Sequence, residues 1–188
     1  VAREITVKAG QKCTAIRRVI VPKDKLEAVL EALRQELSRV TLGDPRRPGV
    51  GMGPLVGAAQ RRDVQGVLEQ LKAQGCEVAF QGSPELLDGD WEKGGFMAPT
   101  LLYSPNPWES GAHDLEPFGP VATLMPYEGL DEAIALARRG KGSLVGSIVS
   151  YNRQEARTLF FGCATHHGRM LILNRENAQE STGHGSPL

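Results

Sequence analysis

The sequence has few cysteines, and they are widely spaced. Only three of its 188 residues are cysteine, at positions 13, 76 and 163. This odd number at long spacing predicts neither a disulfide framework nor a metal site. Isolated cysteines of this kind are typical of reduced thiols, so we expect a cytoplasmic protein.

The sequence also lacks a charge imbalance and a long apolar run. Lys+Arg and Asp+Glu number 22 each, so no basic surface is predicted for a nucleic acid or an anionic membrane. No segment reaches the roughly 18 apolar residues that cross a bilayer. A Gly-x-Gly-x-x-Gly fingerprint between a strand and a helix, which marks many dinucleotide-binding folds, does not occur. We therefore expect a small-molecule substrate, and neither a nucleic acid nor a membrane partner.

What the sequence does contain is an alternation of strand-like and helix-like segments. Apolar residues recur at helical spacing in four segments, 26–40, 64–71, 130–137 and 154–161. Six short runs are almost continuously apolar, 18–21, 76–80, 100–103, 121–125, 144–149 and 170–173. Such strands are typical of a mainly parallel sheet covered on both faces, which predicts a three-layer α/β/α fold. A single domain over residues 1–188 is the simpler prediction, and a boundary within 43–53 is the alternative.

Both ends of the chain suggest a piece of a longer polypeptide. The sequence opens on Val1 without a methionine and closes on Leu188 just after a Gly-His-Gly-Ser-Pro run. We interpret it as truncated at both ends.

Cys13 is the main candidate for chemistry. It follows Gly10 between a possible helix and the strand at 18–21, in a tight connection whose backbone N–H groups are free to bind a ligand. A thiol there can act as a nucleophile if backbone donors or a cofactor charge favour its thiolate. A small buried side chain without chemistry is the commoner role of an isolated cysteine, and we expect it for Cys76 and Cys163.

Two pairs of adjacent residues that contain histidine are weaker candidates. His113 and Asp114 lie in the long loop before residue 116, where they either contact a bound acyl group or form a solvated loop pair; the solvated pair is favoured. His166 and His167 are adjacent, which turns their side chains to opposite faces of a strand, and no third ligand is spaced nearby. No metal site is therefore predicted, and a surface or loop position is favoured for both.

Four short blocks resemble the aldehyde dehydrogenase superfamily. Residues 10–18 read Gly-Gln-Lys-Cys-Thr-Ala-Ile-Arg-Arg and resemble the family's active-site segment, while 115–121 read Leu-Glu-Pro-Phe-Gly-Pro-Val and resemble its Glu-x-Phe-Gly-Pro-Val segment. Gly-Pro-Leu at 53–55 and Gly-Phe-Met-Ala-Pro-Thr at 95–100 are similar to two further landmarks. The resemblance implies that Cys13 is the catalytic nucleophile, that Glu116 binds the nicotinamide ribose and that Phe118 lies beside the nicotinamide ring.

The resemblance also implies an activity. In the family, NAD or NADP accepts hydride as an aldehyde is oxidised to a carboxylic acid through a cysteine thiohemiacetal and a thioester. The cofactor is bound mainly by an N-terminal Rossmann-like domain, which is missing here together with a glutamate base and an asparagine of the oxyanion hole. Leu115 and Pro117 depart from the usual family residues without removing Glu116. We therefore expect a homo-oligomeric full-length enzyme and little or no activity from this chain alone.

Three further segments, 142–149, 173–175 and 183–187, resemble one branch of the family, the bifunctional ring-opening enzymes of phenylacetate degradation. This resemblance implies a CoA-linked semialdehyde as the substrate. Two other functions remain open: a cofactor-independent cysteine hydrolase or thioesterase that uses Cys13 with a histidine base, and a non-catalytic oligomerisation scaffold.

Overall fold

The computed structural model describes residues 1–179, 181, 183 and 184. The chain forms two compact units, Val1–Pro126 and Tyr127–Leu188. Positions 185–187, which belong to one of the branch-specific segments, lie outside the described residues. Among the described residues, none of the helices combines the length and the apolar character that a membrane crossing requires.

The first unit is built on a four-stranded sheet. Its strands are β1 (Arg18–Pro22), β2 (Glu77–Gln81), β3 (Thr100–Tyr103) and β4 (Val121–Tyr127), in the order β1-β4-β3-β2. Strand β4 is parallel to β3, with Thr100 opposite Val121, whereas β2 runs antiparallel to β3 at the edge.

Helices cover both faces of this sheet because successive strand residues point to opposite sides. On one face Leu101 packs with Ile5 of α1 (Ala2–Thr6) and with α2 (Leu26–Ser38), whose buried residues recur at helical spacing: Leu30, Leu33 and Leu37. On the other face Leu102 packs with α3 (Ala58–Ala73), through Val64, Leu68 and Leu71. The predicted three-layer α/β/α arrangement is confirmed.

Gly75 ends α3 as the sequence predicts. It adopts a φ of 86°, and its N–H donates to the Lys72 carbonyl at 3.0 Å. The Cys76 N–H donates to the Leu71 carbonyl, also at 3.0 Å. These two bonds form a Schellman motif, which satisfies the last carbonyls of the helix and turns the chain into β2.

The long loop between β3 and β4 is anchored to the body of the unit. It contains two 3-10 turns, Pro107–Glu109 and Gly111–His113. An added Cβ at Gly111 would lie 1.9 Å from the side-chain oxygen of Gln74, just beyond α3. The loop therefore packs closely against the end of α3.

The second unit contains α4 (Leu130–Arg138), β5 (Ser143–Val149), α5 (Arg153–Cys163), β6 (His167–Leu173) and α6 (Arg175–Ala178). Strands β5 and β6 form a parallel two-stranded sheet, and α5 connects them. Asn152 is the N-cap residue of α5, and its side chain accepts hydrogen bonds from the backbone N–H groups of Gln154 and Glu155. Among the pairs whose direction is described, β3 with β4 and β5 with β6 are parallel and β2 with β3 is antiparallel, so the predicted mainly parallel α/β class is confirmed.

Candidate active site

The turn before Cys13 is strained. The 3-10 turn Val7–Gly10 holds Lys8 and Ala9 at φ values of 53° and 51°. This left-handed conformation costs a residue other than glycine roughly 1–2 kcal/mol. Such strain persists only where the surroundings enforce it, and it is concentrated at functional sites.

The Cys13 thiol is open to solvent, whereas Cys76 and Cys163 are buried as expected. Among the described residues, none accepts a hydrogen bond from the Cys13 backbone N–H. The neighbouring Lys12 forms a partly buried ion pair with Glu4, with 2.8 Å between the ammonium nitrogen and a carboxylate oxygen. The turn therefore combines the exposed Cys13 with a backbone N–H that donates to none of the described residues. The positive charge of the neighbouring Lys12 is largely compensated by Glu4.

Two contacts join the Cys13 turn to the segment before β4. An added Cβ at Gly10 would lie only 2.1 Å from the carbonyl oxygen of Gly119, so the two backbones meet where only glycine fits. The Arg17 guanidinium donates to the Leu115 carbonyl at 3.2 Å. Sequence patterns do not reveal the Arg17 contact, because it joins residues 98 positions apart.

Residues 116–119 alternate between solvent and core. Glu116 and Phe118 are exposed and Pro117 is buried. Phe118 has a φ of 46° and a residue exposure of 41%, and its carbonyl accepts from the side chain of Gln60 at 3.0 Å. Both a carboxylate and an aromatic ring are thus open to solvent in this segment, and these groups can bind hydroxyl groups and stack on a flat ring, respectively.

Gln11 ties the other two family-like blocks to the same turn. Its side-chain oxygen accepts from the Val56 N–H at 2.9 Å, and its amide nitrogen donates to the Lys8 carbonyl at 3.1 Å. The Leu55 N–H in turn donates to the Gly95 carbonyl at 2.9 Å. Four blocks that are far apart in sequence are therefore linked in one continuous set of contacts around Cys13.

A shallow cleft of about 10 Å³ lies between the two main segments. Arg17 lines it from the cysteine side, and Glu116 and Phe118 line it from the other. The larger surface groove of the first unit, about 280 Å³, is lined elsewhere, by residues that include Leu68 and Trp91, and contains none of these side chains. The larger of the two grooves therefore does not contain the residues that the sequence identifies as candidates.

His113 is not the solvated loop residue that the sequence favoured. It is 2% exposed, and both ring nitrogens have partners: Nε2 lies 2.7 Å from the Pro107 carbonyl and Nδ1 lies 2.9 Å from an Arg18 guanidinium nitrogen. That expectation is wrong for His113, because the loop between β3 and β4 packs against the body of the first unit and buries the ring. Asp114 is exposed as expected.

The adjacent histidines make separate local bonds. The His166 ring contacts the Thr165 hydroxyl at 2.9 Å, and the His167 ring contacts the Cys163 carbonyl at 2.9 Å. Within residues 1–179, 181, 183 and 184, no three His, Cys, Asp or Glu side chains are grouped in a way that could hold a metal ion.

Comparison with known proteins identifies the family. The family model described as the aldehyde dehydrogenase family matches residues 1–182. The 3,4-dehydroadipyl-CoA semialdehyde dehydrogenase of Aromatoleum evansii is 42% identical over 191 residues, which cover 100% of this chain and 37% of that protein. Protein MaoC of Klebsiella aerogenes is 49% identical over 138 residues, or 73% of this chain and 40% of that protein. The chain thus spans about two fifths of the length of these relatives.

A solved structure shares the fold. A betaine aldehyde dehydrogenase double mutant from Staphylococcus aureus, in complex with NAD+ and with a β-mercaptoethanol-modified cysteine, superposes with a TM-score of 0.81 at 25% identity. The match covers 91% of this chain and 34% of that chain.

Proposed function

This chain belongs to the aldehyde dehydrogenase family, and we propose that it supplies the catalytic thiol of an NAD(P)-dependent aldehyde oxidation. Cys13 is the nucleophile in this proposal. The observation that carries it is that segments from four parts of the first unit meet at the turn that carries the exposed Cys13, through the contacts of Gly10, Gln11 and Arg17.

The chemistry follows from the geometry of the turn. The Cys13 thiolate attacks the aldehyde carbon, and the Cys13 N–H, which donates to none of the described residues, is placed to donate to the oxyanion that forms. Bound NAD(P)+ would supply the hydride acceptor. Loss of hydride from the thiohemiacetal leaves a thioester on Cys13, which water hydrolyses to the carboxylic acid and the free thiol.

Glu116 and Phe118 are the proposed cofactor contacts within this chain. The exposed carboxylate can accept hydrogen bonds from the hydroxyl groups of a ribose, and the exposed ring at position 118 can stack beside a nicotinamide. The NAD+ complex of the structural relative from Staphylococcus aureus supports a nucleotide cofactor. We propose that most of the nucleotide site lies in a part of the whole protein outside this chain, and that the isolated chain is inactive.

The proposed substrate is a CoA-linked semialdehyde, in phenylacetate degradation. Its support is the name of the Aromatoleum evansii relative, which acts on a CoA-linked semialdehyde and whose match covers 100% of this chain, together with the branch-specific segments in the sequence. Homo-oligomerisation of the whole protein belongs to the same proposal.

One observation counts against His113 as the histidine base of the cysteine hydrolase alternative. A histidine base must have a ring nitrogen free to take a proton from the thiol. The His113 ring is buried, with one nitrogen held by the Pro107 carbonyl and the other by Arg18.

The first test measures the reactivity of Cys13 in this chain. The second-order rate of alkylation by iodoacetamide is followed by mass spectrometry from pH 5 to 10. Buried Cys76 and Cys163 would be slow for steric reasons alone, so the matched control is an exposed cysteine on the outer face of α2, Ala32→Cys in a Cys13→Ser background. We expect Cys13 to react about tenfold faster than the control at pH 7. Equal rates would remove the nucleophile assignment.

The second test measures the oxidation itself. A chimera in which this chain replaces the matched residues of the Aromatoleum evansii relative is assayed with NAD+ and NADP+ on CoA-linked and free aldehydes. We expect NAD(P)-dependent oxidation, with the CoA-linked semialdehyde preferred, and a loss of about a thousandfold or more on Cys13→Ala. Turnover of simple esters without cofactor, in the absence of any dehydrogenase activity, would favour the hydrolase instead.

A further inference from the structure

Two consecutive arginines connect the Cys13 turn to the residues just before Glu116. The Arg17 guanidinium donates to the Leu115 carbonyl at 3.2 Å. The Arg18 guanidinium lies 2.9 Å from Nδ1 of His113. The nucleophile segment is thus joined to the proposed cofactor segment at two adjacent points.

The two hydrogen-bond partners of the His113 ring determine which ring nitrogen carries the proton. A carbonyl oxygen only accepts hydrogen bonds, so the 2.7 Å contact with the Pro107 carbonyl assigns the proton to Nε2. The Arg18 guanidinium only donates, so Nδ1 must be the acceptor. The ring is therefore the neutral Nε2–H tautomer, because a proton on Nδ1 would point at the guanidinium.

Its location separates His113 from a catalytic role. The residue is 2% exposed and both ring nitrogens are engaged, so the ring is shielded from solvent and has no nitrogen open for proton transfer. Its hydrogen bonds lead from the Pro107–Glu109 turn to Arg18, at the first residue of β1. The contact with Arg18 connects the ring to the strand that follows the Cys13 turn.

We propose that His113 is a positioning residue, which acts through Arg18 to hold the Cys13 turn in place against residues 115–118. The proposal rests on the proposed function, since it gives this contact a purpose in aligning the nucleophile with the cofactor side chains. A ring that only filled space would stabilise the fold, and its loss would leave the local geometry of Cys13 unchanged.

Two substitutions of His113 separate the two bonds. In His113→Asn the amide oxygen takes the place of Nδ1 and can accept from Arg18, while the bond to the Pro107 carbonyl is lost. In His113→Gln the amide nitrogen takes the place of Nε2 and can donate to Pro107, while the acceptor for Arg18 is lost. Each variant gives up one buried hydrogen bond, so similar losses of thermal stability are expected from both.

The experiment measures Cys13 alkylation rates and amide hydrogen exchange in this chain for the wild type and both variants. We expect His113→Gln to slow alkylation about fivefold and to speed exchange over residues 114–119 by a similar factor, because the tether is released. His113→Asn should stay within about twofold of the wild type in both measurements, and exchange in α3 serves as the reference within the same molecule. Equal effects of the two variants, or none, would overturn the positioning role.

Variants of Arg18 keep the test decisive if His113→Gln fails to fold. Arg18→Met removes the donor and retains an apolar stem, whereas Arg18→Lys retains a donor. We expect Arg18→Met to match His113→Gln and Arg18→Lys to resemble the wild type, and wild-type behaviour of Arg18→Met would overturn the proposal. The proposed function fails separately, if wild-type Cys13 reacts no faster than the Ala32→Cys control; the exchange data still decide whether the tether exists.

Discussion

The two units of the chain differ in how completely they bury their apolar side chains. In the first unit, helices cover both faces of the four-stranded sheet, and strand residues such as Leu101 and Leu102 are fully buried. The second unit has a sheet of only two strands, and three exposed large apolar side chains lie on those strands: Leu144, Val149 and Ile172. In the first unit the exposed large apolar side chains lie outside the sheet, except for Val78 on the edge strand β2.

This difference shows which of the two units can hold the residues of a functional site in fixed positions. A two-stranded sheet has two open edges and stabilises itself poorly, whereas a sheet packed on both faces holds its loops in fixed positions. Cys13, Glu116 and Phe118 all belong to the first unit. The candidate site is therefore carried by the more completely packed part of the molecule, although it consists of turns and loops.

The largest expected effect compares one substitution in the two units. Leu102→Ala removes a side chain with 0% exposure from the first unit, while Leu144→Ala alters a side chain with 60% exposure in the second. We expect the first to lower the free energy of unfolding by about 3 kcal/mol, because it leaves a cavity, and the second by less than about 0.5 kcal/mol.

Urea titrations followed by circular dichroism and by tryptophan fluorescence measure both variants. Trp91 and Trp108, the two tryptophans of the chain, lie in the first unit, so fluorescence reports on its unfolding. A loss on Leu144→Ala as large as that on Leu102→Ala would remove the contrast between the units.

A smaller effect is expected where the Cys13 turn meets the body of the first unit. Gly10→Ala places a Cβ 2.1 Å from the Gly119 carbonyl oxygen, at a φ of 71°. We expect it to lower the free energy of unfolding by about 2 kcal/mol, since a backbone must shift and a left-handed conformation becomes strained. Cys13 alkylation should slow toward the rate of the exposed control. Unchanged stability and reactivity would show that the two backbones do not meet as described.

Most of the fold could be predicted from the sequence because local patterns determine it. The strand at Thr100–Tyr103 coincides with its prediction, and Gly75 ends α3 as the pattern at 64–71 indicates. What local patterns omit is the depth of the long loop. Local patterns predict that His113 lies in solvent, because nothing near it in sequence shows that Arg18 and Pro107 contact its ring.

For the candidate site, the sequence proposes residues but does not show the contacts between them. Cys13, Glu116 and Phe118 were recognised from short blocks, and their roles remain proposals. The contacts that bring the blocks together, from Gln11 to Val56 and from Arg17 to Leu115, span 45 and 98 positions. Contacts at such separation depend on the assembled sheet and leave no periodic signal in the sequence.

A gain in stability is expected at an exposed helical position of the same unit. Gly66 lies inside α3, and an added Cβ there would meet nothing within 4 Å. Gly66→Ala should raise the free energy of unfolding by about 1 kcal/mol, because alanine restricts the unfolded chain and favours the helix. The same urea titration measures it, with Cys13 alkylation as the control, which should not change. A destabilised variant would mean that this face of α3 is covered.

The smallest expected effect concerns an exposed ion pair in the connector of the first unit. Hydrogen bonds from the Arg46 side chain, followed by one from its backbone, lower the pKa of Asp44 from its ordinary 3.8 to about 2. The contribution of the pair to stability is therefore present above pH 3.8 and is lost as the pH falls through about 2. Arg46→Ala should return the pKa of Asp44 toward 3.8, as measured by NMR titration of its side-chain carboxyl. Arg39→Ala, which breaks a separate surface pair with Glu36, should leave that pKa unchanged. Because the pair is open to solvent, Arg46→Ala should lower the free energy of unfolding at neutral pH far less than Leu102→Ala does. That outcome would mean that the buried faces of the sheet contribute more to the stability of the first unit than its surface charges do.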